Sequence, residues 1–325
     1  MRTKILSFSL VSASVFFTAC GNQSEEASAS ETVTIPEAPD AAIKTILTEF
    51  AKGDAGILWD AMPASYQADV DTIAQTFGAK TDPELYNKSF ALVDQLAGVL
   101  SKQQNFIVGS VAENSADTAE AAEKLEEIKQ AIPEVVKVLQ TLTSSSVASV
   151  EGLKAFSGQD FFDTTISSIT AQMKELAELS GEGFSMDDLN ALVVNVVESD
   201  DMTATLSMSA PGEEPQLESF TKVEGRWIPT DMANQWTAQI AEAKAQLEAM
   251  TPETIAAQKP QIMGALTMVE GVLTQIGAAE TQAQFDQAVQ GAMIPLFGLM
   301  MMFQQPAAGG AAPMSAPVPS SPTAP

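Results

Sequence analysis

The sequence predicts an α+β protein, mainly α: a bundle of amphipathic helices packed on a small antiparallel β-meander of three to four strands. Two observations predict this class. Apolar residues recur every three or four positions along most of the chain, the period of a helix with one buried stripe. In one short region, residues 191–229, the period drops to two, as in a strand with one wet face. A third observation says that such a fold can hold. Hydrophobic residues make up 45% of the chain, enough for a core. With one cysteine in 325 residues, that core must be held by packing rather than by disulfides.

The elements follow in order. Ile43, Leu47 and Phe50 open the helical series, and Tyr66, Val70, Ile73 and Phe77 continue it. Asp82-Pro83 pairs an N-cap with proline at the first helical position and predicts a helix through Leu100. Leu125, Ile128 and Ile132 precede Pro133, where a helix should end or kink, and Val136, Leu139 and Leu142 continue beyond it. Phe162, Ile166, Ile169, Met173 and Leu176 form one helical stripe. Leu192 to Val197 then reads as a strand, with Ser199-Asp200-Asp201 as a turn. Met202, Ala204, Leu206 and Met208 alternate with Thr203, Thr205 and Ser207. Leu217 to Val223 is joined to Arg226-Trp227-Ile228 by Glu224-Gly225, a two-residue hairpin signal. Helices return with Thr230 as a cap, then with Thr251-Pro252 as cap and proline. Phe285, Val289, Met293, Leu296, Met300 and Phe303 mark a closing helix.

Both ends differ from this middle. Arg2 and Lys4 precede an uncharged apolar run, Ile5 to Phe17, followed by the small residues Thr18 and Ala19 and then by Cys20. That is the layout of a secretory signal, and the run is too short to span a bilayer, which takes about 20 residues. Phe17-Thr18-Ala19-Cys20 resembles the lipobox of bacterial lipoproteins, with Phe17 where the family usually has leucine. The resemblance implies cleavage before Cys20 and acylation of that residue, palmitate being a typical chain. It also implies export to the periplasm and anchoring in the cell envelope. Gly21, rather than aspartate, after the cysteine implies the outer membrane where the cell has two. The expected organisation is a signal peptide over residues 1–19, a flexible tether over 20–37, a helical domain over 38–305 and a Pro/Ala/Ser tail over 306–325.

A second resemblance rests on AAIKTILTEFAKGDAGILWDAMPASY, with Gly53-Asp54, Trp59, Pro63 and Tyr66, and on FTKVEGRWIP. Together they resemble the first helix and the last strands of secreted proteins with a nuclear-transport-factor-like cone fold. They are also similar to sequences of uncharacterised bacterial lipoproteins.

Composition excludes several classes of function. The formal charge is −26, and Arg226 is the only arginine outside the predicted signal. Nucleic acid as a partner is excluded, since phosphate neutralisation needs clustered Lys and Arg. The chain has no histidine, which removes Ser-His-Asp and Cys-His nucleophile activation and imidazole metal sites. Ser219-Phe220-Thr221-Lys222 has the S-x-x-K spacing but falls in an expected strand, without the accompanying motifs of penicillin-recognising enzymes. With 42 acidic residues, carboxylate pairs carry no information. Met300-Met301-Met302 point in three directions on a helix, which suits packing better than copper.

No catalytic, cofactor or metal residues are assigned. The expected function is that of a membrane-anchored envelope lipoprotein, non-enzymatic, with an interaction or structural role. Its partners are the membrane, through lipidated Cys20, and another envelope protein. One alternative is a binding protein for a small, largely apolar ligand. Trp59, Tyr66 and Trp227 would line its pocket, with Arg226 as an anion partner. An enzyme of unrecognised type is the last alternative.

Overall fold

A computed structural model describes residues 33–113, 115, 118–180 and 186–304. The signal, Cys20, the first part of the tether and the tail lie outside the described residues, as do the side chains of 294–304, Met300 among them. The chain forms α1 (Pro39–Ala51), α2 (Gly56–Asp60), α3 (Ala64–Lys80), α4 (Pro83–Glu113), α5 (Ala119–Thr143), α6 (Val150–Lys154) and α7 (Gly158–Asp160). A π-helical turn, Phe161–Ile166, leads into α8 (Ser167–Ser180) and then α9 (Met186–Ala191). Four strands follow: β1 (Val193–Ser199), β2 (Thr203–Ser209), β3 (Gln216–Val223) and β4 (Arg226–Pro229). The described part closes with α10 (Thr230–Ala249), α11 (Pro252–Gly277) and α12 (Gln282–Gln304). This is the mainly helical α+β architecture that the periodicity predicts, with the meander in the order β1-β2-β3-β4, every pair antiparallel.

Local chemistry explains the meander. In the β3–β4 turn Glu224 and Gly225 both have positive φ, 50° and 82°, the geometry whose twist matches antiparallel strands. At the β1–β2 turn Asp200 accepts the N–H groups of Met202 and Thr203, both at 2.7 Å, and the Thr203 hydroxyl at 3.0 Å. Those bonds favour its charged form and hold its carboxyl below the usual range.

Alternation then sorts the side chains between two cores. Ala204, Leu206, Phe220 and Trp227 face α1 and bury Ala42 and Ile43. Ile35 also packs there, and the Trp227 indole N–H donates to the Glu37 carbonyl at 2.8 Å. The chain is thus pinned before residue 38, inside the stretch that the sequence suggests is tether. The opposite face is covered only at its β4 end, where Ile228 and Val223 pack with Trp59, Tyr66, Val70 and Trp236. Helices therefore lie on both faces of the sheet near β4 and on one face near β1.

The rest of the bundle packs around α4. Leu92 and Val99 meet Leu273, with Leu266, Val269 and Ile276 alongside on α11. Ala97 meets Ile132 and Val136 on α5. Gln103, 1% exposed, donates to the carbonyls of Ile276, Gly277 and Ala279 and so caps the C-terminus of α11. Asp82 accepts from Glu84 and Leu85 N–H, as an N-cap should, and pairs with Lys259 at 2.8 Å. Thr251 and Thr254 form a reciprocal capping box.

Five expectations are corrected or narrowed by the structure. The Asp82 helix does not stop near Leu100 but runs to Glu113, because its apolar stripe goes on into α5 and α12 partners. Of the two outcomes expected at Pro133, an end or a kink, the structure removes the first, since α5 runs through it. Proline cannot donate to the carbonyl four residues back, that of Lys129, and Gln104 Nε2 on α4 fills the gap at 2.7 Å. Thr230 is the first helical residue rather than the cap, and its hydroxyl bonds that of Thr221 at 3.0 Å. The stripe Phe162 to Leu176 is broken by the π-helical turn, whose extra residue rotates the following face. Thr165 and Thr170 are buried in its place, and Met173 is 46% exposed. Along α12 Phe285, Ala288 and Ala292 are buried, while Val289 and Met293 are exposed, so the contact stripe is one residue out of the expected phase.

Candidate functional site

Helix α3 organises the region that holds Trp59 and Tyr66, two of the four residues expected to line a pocket. Its first turn takes the Glu224 carboxylate, which accepts the Ser65 N–H at 3.1 Å. That contact brings the β3–β4 turn against the N-terminal, positive end of α3. The Ser65 hydroxyl and then the N–H groups of Ser65 and Ala64 hold the Glu224 carboxyl below its ordinary range. In the same turn, Tyr66 stacks face to face on Trp236 of α10, centroids 4.0 Å apart and planes within 5°. The Trp236 indole N–H donates to Asp69, which also pairs with Lys244 at 2.9 Å. Burial, and secondarily the nearby Glu224 charge, raises the Tyr66 phenol.

The other side of α3 fixes the segment before the π-helical turn. Gln75 Nε2 donates to the Phe156 carbonyl at 2.9 Å, and Asp71 accepts the Gly158 N–H at 2.8 Å. Gly158 is thereby pressed onto Trp59. A Cβ there would lie 1.9 Å from Trp59 Cη2. Trp59 is 3% exposed, and its ring meets Phe162 at 5.5 Å between centroids. The residue has to be glycine because an indole occupies the space.

Next to Trp59 the side chains become polar. Asp60, half-buried, faces Asp163 of the π-helical turn and lies within reach of Asp54, Gln159 and Arg226. Burial, then repulsion from Asp163, raises its carboxyl above the ordinary range, against the opposing pull of Gln159 and Arg226. Gln159 Nε2 also bridges both Asp163 oxygens, at 3.0 and 2.9 Å. The π-helical turn itself is tied to α2. Ser167 sends its N–H and its hydroxyl to the Phe162 carbonyl, and its oxygen accepts the Ala55 N–H at 2.9 Å. Asp60 and Asp163 thus repel one another, with Arg226 as a weaker opposing attraction. Among the described residues no group of three acidic side chains is placed to hold a metal ion.

The four expected residues are thus divided. Trp59 and Tyr66 share one core, and Trp227 belongs to the other, on the opposite face of the sheet. Arg226 lies in the same electrostatic neighbourhood as Asp60, the residue after Trp59, and weakly attracts its carboxylate. Trp227 carries Lys222 over its ring at 5.3 Å. The Asp60–Asp163–Gln159 group escaped the sequence reading. It joins residues about a hundred positions apart, and acids are too common here for their positions to stand out.

Two clefts open elsewhere. One of about 260 Å³ is lined by Lys52, Gly53, Thr170, Lys174 and Glu178. The other, about 430 Å³, is an apolar groove between α5 and α8 lined by Ile128, Ala131, Met173, Leu176 and Leu179. None of the four residues lines either. No described helix is long and apolar enough to cross a membrane. Comparison with known proteins gives no match: no family model, no curated protein and no solved structure matches the chain.

Proposed function

We propose that the protein is a lipid-anchored component of the cell envelope whose folded domain works by binding another envelope protein, without catalysing a reaction. The observation that carries the anchor is Cys20. It is the only cysteine, it follows an uncharged apolar run with two small residues ahead of it, and Gly21 follows it. By resemblance to lipoproteins this arrangement favours the outer membrane. Several acyl chains on one residue hold a protein on a bilayer essentially permanently, because each buried CH₂ contributes about 0.8 kcal/mol.

Two features support a binding role over chemistry. The chain has no histidine and a single arginine beyond the signal, so the usual proton shuttles and anion clamps are missing from its composition. The aromatic residues best suited to hold a ligand are engaged in packing: Trp59 against Gly158 and Phe162, Tyr66 against Trp236, Trp227 against the α1 core.

The anchor is tested by Cys20→Ser, with membrane fractionation and metabolic labelling by a clickable palmitate analogue. The parent protein should take up label and sediment with membranes. The variant should take up none, and should be released or keep its signal uncut. Unchanged labelling, processing and membrane association in the variant would refute lipidation at Cys20.

A further inference from the structure

Among the described residues, strand β1 is the open edge of the sheet. The other edge, β4, is four residues long, ends in Pro229 and passes at once into α10, so it offers little room for another strand. β1 has no such protection over its first half. Of its seven residues all but Val194 are exposed. Val193, Val196 and Val197 are 49%, 42% and 58% exposed, and they are neither charged nor proline. Leu217 on β3 and Met202 in the β1–β2 turn are 64% and 59% exposed. Half of the large apolar side chains that the described structure leaves exposed are therefore on or beside this one small sheet. A register shift between Val196 and Glu198 bulges the strand near its end, which leaves Val193 to Val196 as the regular stretch.

Charge limits what can pair there. Glu198, Asp200 and Asp201 stand at one end of β1. Glu213 and Glu214, in the loop after Ser209, stand at the other, since Val193 pairs with Ser209. Among the described residues none of these five has a lysine or arginine partner. The nearest cation on the sheet, Lys222, lies over the Trp227 ring. A second copy docking antiparallel on β1 would bring the Glu198–Asp201 end of one chain to the Glu213–Glu214 end of the other. Acid would face acid at both ends, in a protein already at −26.

We propose that β1 accepts an extended segment of a partner protein by strand addition, and that this segment alternates apolar residues with small polar ones and carries Lys or Arg at its ends. Backbone hydrogen bonds to the free edge would hold it. Its apolar side chains would lie on one face, beside Val196, and its small polar ones on the other, beside Val193 and Val197. Its cations would meet the two acidic ends, about 20–25 Å apart for a strand of this length. The inference does not depend on the chemistry of Cys20.

The test uses the full-length protein in non-ionic detergent micelles and a fluorescent nine-residue peptide, KTVSVTVTK. Three comparison probes are the same peptide with glutamate at both ends, the lysine peptide N-methylated at alternate amides, and the protein variant V196K/V197K. Both substituted positions are exposed, so the variant should keep the parent's circular dichroism. Fluorescence anisotropy should show saturable binding of the lysine peptide, weakened about tenfold or more in each of the three comparisons and by added salt. Equal binding of the lysine and glutamate peptides, or indifference to N-methylation or to V196K/V197K, would overturn strand addition of a basic segment. A dimer of the parent by sedimentation that V196K/V197K dissociates would overturn it too, in favour of self-pairing.

Discussion

Replacing Gly158 with alanine would push a methyl group into the ring of Trp59. The added Cβ would lie 1.9, 2.2 and 2.4 Å from Trp59 Cη2, Cζ3 and Cζ2. Carbon atoms in contact prefer about 3.5–4.0 Å, so the ring or the backbone must shift by more than an ångström. Neither moves freely. Trp59 is 3% exposed and meets Phe162, while Asp71 and Gln75 on α3 bind the chain on either side of Ser157. Gly158 does not have a positive φ, so alanine meets no backbone penalty there, and any loss is steric. Overpacking of this kind costs about 1–3 kcal/mol. For a chain of this size each kcal/mol lowers Tm by about 2–4 °C, which gives a fall of about 2–12 °C. Trp59→Ala alone should cost about 3–5 kcal/mol. In the double variant the methyl group enters the space that the indole has left. The two losses should then fail to add by about the overpacking cost. Urea unfolding followed by circular dichroism at 222 nm measures all three variants without relying on the tryptophan signal. A neutral Gly158→Ala, or strictly additive losses, would show that the Trp59 ring has free space beside it. The close-packed account would then be wrong, and a ligand pocket at Trp59 would regain its basis.

Two further predictions concern charge. Asp60 has a raised carboxyl, so its ionised form opposes folding. Stability from this group is greatest at low pH and declines as pH rises from the ordinary carboxylate range through the raised value. Asp60→Asn should therefore raise Tm at pH 7 and leave it unchanged near pH 3; a fall at pH 7 would show that the Arg226 attraction outweighs burial and Asp163. Glu224 is the opposite case, with a lowered carboxyl, so its contribution is present above the ordinary range and lost as pH drops through the lowered value. Glu224→Gln should lower Tm at pH 7, with the deficit closing in acid as the parent's own carboxylate is protonated. A deficit of equal size at pH 3 and pH 7 would remove the charged cap on α3 as its cause.

Much of the architecture was legible because it depends on neighbours in sequence. The strand alternation from Met202 to Met208, the Glu224-Gly225 turn, the Asp82-Pro83 start and the Thr251-Pro252 start all place their elements correctly. Each is a local rule: side-chain period, sign of φ, or a side chain reaching a nearby N–H. The corrected and narrowed expectations share a different origin. Whether Pro133 ends a helix depended on Gln104, 29 residues earlier in sequence and on another helix. The phase of the stripe after Phe161 depended on a π-helical turn held by a Ser167 contact with Ala55. The fate of the aromatic residues also depended on distant partners, Gly158 for Trp59 and Trp236 for Tyr66.

By itself, then, the sequence determined a helical protein with one small meander, an acidic surface and a chemistry without histidine, because composition and periodicity act within a few residues. Tertiary structure alone decided that α1 covers one face of the sheet, that α10 covers the other only near β4, and that β1 is left as an edge strand. It alone put Trp227 in a different core from Trp59 and set Asp60 against Asp163. Those outcomes turn on which apolar faces find each other across long stretches of chain, and no local pattern encodes that choice.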